Sequence, residues 1–186
     1  MKMTWMSFVY TQFYCDIRIG VILLILYHGS NLTVDKPALV PQNRFLDFGF
    51  GFYTTTNQQQ ALGFADKVTR RRRTGIPTVS MYELDEASAF SSCSILRFDN
   101  PDEAWLDFVS ENRAGTYTGP SYDFIYGPVA NDDVYTTFAL YAAGILTKEQ
   151  TIDALKVKKL YNQLVLTTEK ALSFLTFTGT LPKEDA

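Results

Sequence analysis

His28 is the only histidine in the chain, and it lies in Leu26-Tyr27-His28-Gly29-Ser30, directly after the apolar run Val21 to Leu26. Imidazole is the one side chain whose ordinary pKa lets it change charge near neutrality. A lone histidine after a buried strand therefore reads two ways: a satisfied core or turn residue, or a catalyst. A second feature is Phe48-Gly49-Phe50-Gly51-Phe52-Tyr53, followed by Thr54-Thr55. Two glycines between aromatics let the backbone bend sharply or approach a ligand closely while the rings pack. Read for packing alone, the same stretch is a bulged strand with Phe48 and Phe52 in the core. The third feature is the run Arg70 to Arg73, closed by Thr74-Gly75. Cations at a helix C-terminus complement its dipole, yet four in a row also suit an anionic target or a nucleic acid.

Other chemistries are excluded by spacing. Gly49-Phe50-Gly51 lacks the third glycine and the helix start of a dinucleotide fingerprint, and no phosphate-loop spacing occurs. No serine sits in a nucleophile elbow that His28 could serve; carboxylate-pair hydrolysis stays open in principle, since Asp and Glu are plentiful, but nothing marks one pair out. One histidine with two distant cysteines, Cys15 and Cys93, leaves no zinc ligand set, so no metal is expected. The same two cysteines make no disulfide framework and point to a reducing, cytoplasmic setting. A net charge of −3 gives no bulk electrostatic case for nucleic acid.

The elements that must position these residues follow from local pattern. Val21 to Leu26 reads as a buried strand running into a polar turn at His28. Thr56-Asn57 caps a helix over about Gln58 to Arg73, with Ala61, Phe64, Ala65 and Val68 on its apolar face and Gly75 as its stop. Strands follow at Pro77 to Leu84 and Ile95 to Phe98. A helix starts at Asp99-Asn100-Pro101 and carries Ala104, Trp105, Phe108 and Val109 inward. Tyr122 to Val129 is a buried strand, and Asp132 caps a helix over Val134 to Ala143. Thr147 and Gln150 form a capping box for another helix, to about Lys159. Leu160 to Thr167 and Ala171 to Phe177 close the chain as strands. This order is α+β and not a regular βαβ alternation. At 186 residues, 46% of them hydrophobic, the chain has material for one core. Residues 21–180 are expected to be that single domain, with 181–186 a tail. Residues 1–20 are expected to be a loosely attached extension or the product of an upstream start codon. Ile19 to Tyr27 is about half the roughly 20 apolar residues a membrane helix needs, so no membrane span is expected.

Three segments together carry a likeness to a known superfamily: Tyr27-His28-Gly29-Ser30, then Phe48-Gly49-Phe50-Gly51-Phe52-Tyr53, then Tyr161-Asn162-Gln163-Leu164-Val165-Leu166. In this order they resemble the signature segments of the ADP-ribosyltransferases, in the diphtheria-toxin and poly(ADP-ribose) polymerase branch with its His-Tyr-Glu triad. The chain is similar, more closely, to small stand-alone bacterial members of that superfamily. The likeness spans about Leu24 to Phe177.

The resemblance implies split antiparallel β-sheets with peripheral helices and an NAD cleft between them. It implies NAD as substrate, with ADP-ribose transferred to a macromolecular acceptor, protein or nucleic acid. It assigns His28, Tyr53 and Gln163 to catalysis, and His28, Gly29, Ser30, Gly51 and Tyr53 to the substrate. His28 would hold a ribose hydroxyl, Gly29 the carboxamide through its main chain, and Tyr53 would stack on the nicotinamide ring. Arg44 is either a contact to the pyrophosphate, which its forked guanidinium suits, or a plain surface arginine. The departure is Gln163, where the family triad has Glu. A neutral amide keeps a hydrogen bond but not the charge that stabilises the ribosyl cation. The expectation is thus a toxin-like or regulatory mono-ADP-ribosyltransferase, with a neutralising protein partner conceivable. The alternative is a degenerate module of the same fold that binds NAD or a partner without turnover. Glu169 could replace the missing carboxylate only if a tight turn at Thr167-Thr168 brought it back, since six extended residues span roughly 20 Å.

Overall fold

In this computed structural model the described residues are 17–18, 21–41, 46–128, 132–156 and 160–181. Most of residues 1–20, Arg44 and nearly all of the tail lie outside them. The elements run β1 (Ile17–Arg18), β2 (Val21–Ser30), β3 (Phe52–Thr55), α1 (Gln58–Arg72), β4 (Thr78–Asp85), α2 (Glu86–Ser92) and β5 (Ile95–Arg97). They continue as α3 (Glu103–Ala114), β6 (Phe124–Pro128), α4 (Asp132–Ala142), α5 (Lys148–Lys156), β7 (Asn162–Leu166), α6 (Glu169–Leu172) and β8 (Leu175–Thr180). The class is α+β. Among the described residues no helix is long and apolar enough to cross a membrane.

Seven strands follow one hydrogen-bonded path, β5-β6-β7-β3-β2-β4-β8, with β1 paired to β2 beside it. The expectation of two wholly antiparallel sheets is modified in two respects. The β5–β6 pair is parallel, and the path is continuous. Its weakest join is β2 to β3, a single bridge between Tyr27 and Thr55. By contrast β2 pairs with β4 over eight consecutive positions, from Leu23↔Asp85 to Ser30↔Thr78. The two strands therefore part after Tyr27, and a seam opens between His28–Ser30 and the start of β3.

Each face of the sheet has its own core. Trp105 and Val109 of α3, Phe138 of α4 and Leu155 of α5 pack with Ile125 and Val165 on one face. Leu26, Phe52, Tyr82, Leu84, Phe124 and Leu166 pack with Ala89 of α2 and Leu172 of α6 on the other. Alternation along each strand sends neighbouring residues to opposite cores.

Caps fix where helices begin and end. The Asn57 side chain accepts from Gln60 N at 2.8 Å, and Thr147 and Gln150 make the reciprocal capping box, at 2.9 and 3.2 Å. Helix α1 ends on Arg73, in the left-handed region at φ 56°, and not on Gly75. Phe64 and Ala104 are exposed, because each faces away from the sheet once its helix is docked. Pro101 stays outside α3, whose cap is Asp102. Glu86–Ser92 is helical through the cap Asp85, and the closing stretch is divided because Thr168 caps the short α6 before β8.

Candidate functional site

The segment Tyr27–Ser30 is strand to its end and not a turn, since β4 continues to pair with it through Ser30. Val79 accepts a hydrogen bond from Leu181 N at 3.0 Å, so its main chain faces β8. Gly29 is opposite Val79. In an antiparallel ladder such a pair turns its main-chain groups away from each other. The Gly29 N–H and C=O are thereby directed into the seam. Its missing side chain has a separate cause: a Cβ there would lie 2.2 Å from the Ala61 carbonyl and 2.9 Å from Ala65 N. Helix α1 rests directly on this strand. Ser30, the last residue of β2, is buried.

His28 crosses the seam. Its Nδ1 lies 2.8 Å from the Tyr53 carbonyl, and its ring stacks on Phe52 at 4.4 Å. The imidazole thus occupies a place that a continuing ladder would give to main chain. A carbonyl only accepts, so Nδ1 carries the proton and Nε2 is the acceptor left for a ligand. Burial pushes the imidazole pKa below 6.5; the Tyr53 bond opposes this and the charge of Arg72 adds to it.

A base with a depressed folded pKa is protonated first in the unfolded chain. Its contribution to stability is therefore complete above pH 6.5 and is lost as pH falls through the folded value. The slope in that window reaches about 1.4 kcal/mol per pH unit. Denaturant melts at pH 7.5, 6.5 and 5.5 should show this loss, and His28→Gln should flatten it. An unchanged slope in the variant would assign the loss to other groups.

The Gly49–Gly51 segment is a turn leading into β3, and not a strand. Gly49 has φ 73° and donates to the Leu46 carbonyl at 3.0 Å. The Tyr53 hydroxyl closes the turn, accepting from Phe48 N at 3.1 Å and donating to the Gly49 carbonyl at 2.7 Å. Burial, then the nearby Asp47 carboxylate, raises the phenol pKa, so this hydroxyl stays protonated. Asp47 is bound in turn by Arg113 Nε at 2.6 Å. Gly51 is required by packing, because a Cβ would lie 2.5 Å from Val165. Phe48 and Phe52 are buried as expected, and Phe50 stands exposed.

Gln163 is on β7, opposite Thr55 on one side and Gly127 on the other. Tyr53 opposes Val165 in the same ladder, so Tyr53, Thr55 and Gln163 share the face of the first core. Gln163 is 7% exposed, yet its Nε2 has no hydrogen-bond partner. An unmet buried donor costs about 1–3 kcal/mol, and only Ser110 Oγ shares that state among the described residues. Sequence alone carries no sign of this orphaned amide, because it depends on what β6 and β3 fail to offer.

Glu169 is exposed and opens α6. Thr168 Oγ1 donates to Asp123 at 2.7 Å, anchoring this end of β7 beside the start of β6. Gln163 pairs near the other end of β6, so the turn at Thr167-Thr168 leads Glu169 away from it.

The three distant segments therefore lie on three adjacent strands, in the order β7-β3-β2. His28 and Tyr53 meet at one hydrogen bond, while His28 and Gln163 lie on opposite sheet faces and are linked only through β3. No curated protein and no solved structure matches the chain. A family model does, over residues 24–177, which takes in all three segments. On that match the chain belongs to DUF3990, a protein family of unknown function.

Proposed function

We propose that the chain is an NAD-dependent mono-ADP-ribosyltransferase acting on a macromolecular acceptor. The observation that carries this reading is the meeting of the His28, Tyr53 and Gln163 segments on neighbouring strands around the β2–β3 seam. The nicotinamide–ribose bond would break with its electron pair leaving on nicotinamide. A nucleophile of the acceptor would then bond to the ribose carbon and release its proton to solvent. The residues present fit a substrate of this kind. Gly29 directs an N–H and a C=O at the seam, matching a carboxamide. The acceptor Nε2 of His28 suits a ribose hydroxyl, and the unpartnered amide of Gln163 can donate to another. Tyr53 would contribute its ring, since its hydroxyl is engaged by the turn.

The second reading, a module that binds NAD or a partner without turnover, is favoured by one fact: the Gln163 amide has no charge to offer a ribosyl cation. The first reading places the protein in the cytoplasm, assigns no role to a metal, and leaves room for a neutralising protein partner. Incubation of the purified chain with NAD labelled on the adenosine side, in a lysate, separates the two. Transfer of label to protein or nucleic acid is the expected result. NAD binding without transfer would establish the second reading, and no NAD binding would defeat both.

A further inference from the structure

The four arginines at the end of α1 are not equivalent. Arg72 donates from Nη1 to the side-chain oxygen of Asn31 at 2.8 Å. Asn31 is itself 4% exposed and fixed on three sides. Its amide donates to the Thr74 carbonyl at 2.9 Å, its carbonyl accepts from Ile76 N at 3.0 Å, and Gly75 presses against it so closely that a Cβ would lie 2.0 Å from that carbonyl. The tether holds a guanidinium at Asn31, one residue beyond the end of β2. Asn31 directly follows Ser30 and is three residues from His28, about 10 Å along an extended strand. The charge of Arg72 is near enough to be felt by the His28 ring. A guanidinium carries five N–H donors, and the Asn31 bond uses one of them. The Arg72 side chain is otherwise exposed. Arg70 has no such tether, and Arg73 serves as the helix cap.

We propose that Arg72, oriented by Asn31 at the mouth of the β2–β3 seam, contacts the diphosphate of a dinucleotide substrate, an assignment that rests on the reading of the seam as an NAD site. Arg44, the candidate that the sequence offered for this contact, lies outside the described residues. A planar fork held by a buried amide is preorganised for two phosphate oxygens, as a free surface arginine is not. The bland alternative is a latch that only ties α1 to the end of β2.

Calorimetric titration of the full chain with NAD, nicotinamide and inorganic pyrophosphate distinguishes them. Arg72→Gln keeps an amide donor for Asn31 and removes the charge. It should weaken NAD binding about tenfold, the scale of one charge-assisted hydrogen bond, while nicotinamide binding is unchanged. Arg72→Lys should be intermediate, and Arg70→Gln, with the same change in net charge, should bind like the parent. Equal NAD affinity for parent and folded Arg72→Gln would overturn the proposal and leave the NAD reading intact. Pyrophosphate competition with NAD on the unsubstituted protein needs no variant; absence of competition also overturns it. The sole histidine gives a single ring signal in magnetic resonance. If NAD fails to bind but pyrophosphate shifts that signal, and Arg72→Gln abolishes the shift, the anion contact stands and the transferase reading falls.

Discussion

Gln163→Ala is expected to lower transfer by about 10²–10³-fold, the range for removing one neutral donor to a developing charge, while largely sparing NAD affinity. The expectation rests on an amide that is buried and unpartnered in the folded chain. If its bond to the ribose forms only as charge develops there, its loss slows transfer and leaves ground-state affinity alone. Gln163→Glu makes the complementary test. A carboxylate beside the ribosyl cation should raise NAD hydrolysis, provided burial does not keep it protonated. Glu169→Gln should leave rates unchanged, because Glu169 is exposed and leaves from the other end of β7. Loss of transfer in Glu169→Gln, with Gln163→Ala active, would move the catalytic acid to Glu169 and sink this assignment.

The largest stability effect is expected from Gly29→Ala. The new methyl group would sit 2.2 Å from a helix carbonyl, and backbone cannot swing aside as a side chain can. Overpacking of this kind costs typically about 1–3 kcal/mol, and a contact to main chain belongs at or above the top of that range. A loss of about 3 kcal/mol should lower Tm by roughly 6–12 °C in a chain of this size. Gly63→Ala is the control: on α1 nothing lies within 4 Å of its added Cβ. There the usual helix preference for Ala over Gly should stabilise by about 0.5–1 kcal/mol. Equal shifts for the two substitutions would mean that α1 does not rest on β2 as described.

Much of the frame was legible from short-range pattern. Asn57, Thr147 and the strands at 78–85, 124–128 and 162–166 follow from caps and apolar runs that act over a few residues. The errors lie where tertiary contacts decide. His28–Ser30 looks like a turn by composition, but β4 pairs with every residue of it. Gly75 looks like a helix stop, yet it is reserved for the contact with Asn31, and Arg73 takes the left-handed cap instead. Phe64 looks inward on a helical wheel, but α1 docks through its alanines, and a phenylalanine cannot approach as closely. For the site, the three segments and their order are visible in the sequence, whereas their adjacency is not. The orphaned Gln163 amide and the Arg72 tether are properties of neighbours brought from 36 or more residues away.

The single Tyr27–Thr55 bridge gives the molecule a spine along which it can flex. On one side stand β5, β6, β7 and β3; on the other β2, β4 and β8. Parting the strands further at His28–Ser30 would break no ladder, but it would loosen the imidazole bond to Tyr53, the stack on Phe52 and the packing of Phe52 against Leu26 and Tyr82. A guest in the seam would leave every ladder intact, with the only histidine as the clasp that joins the two halves.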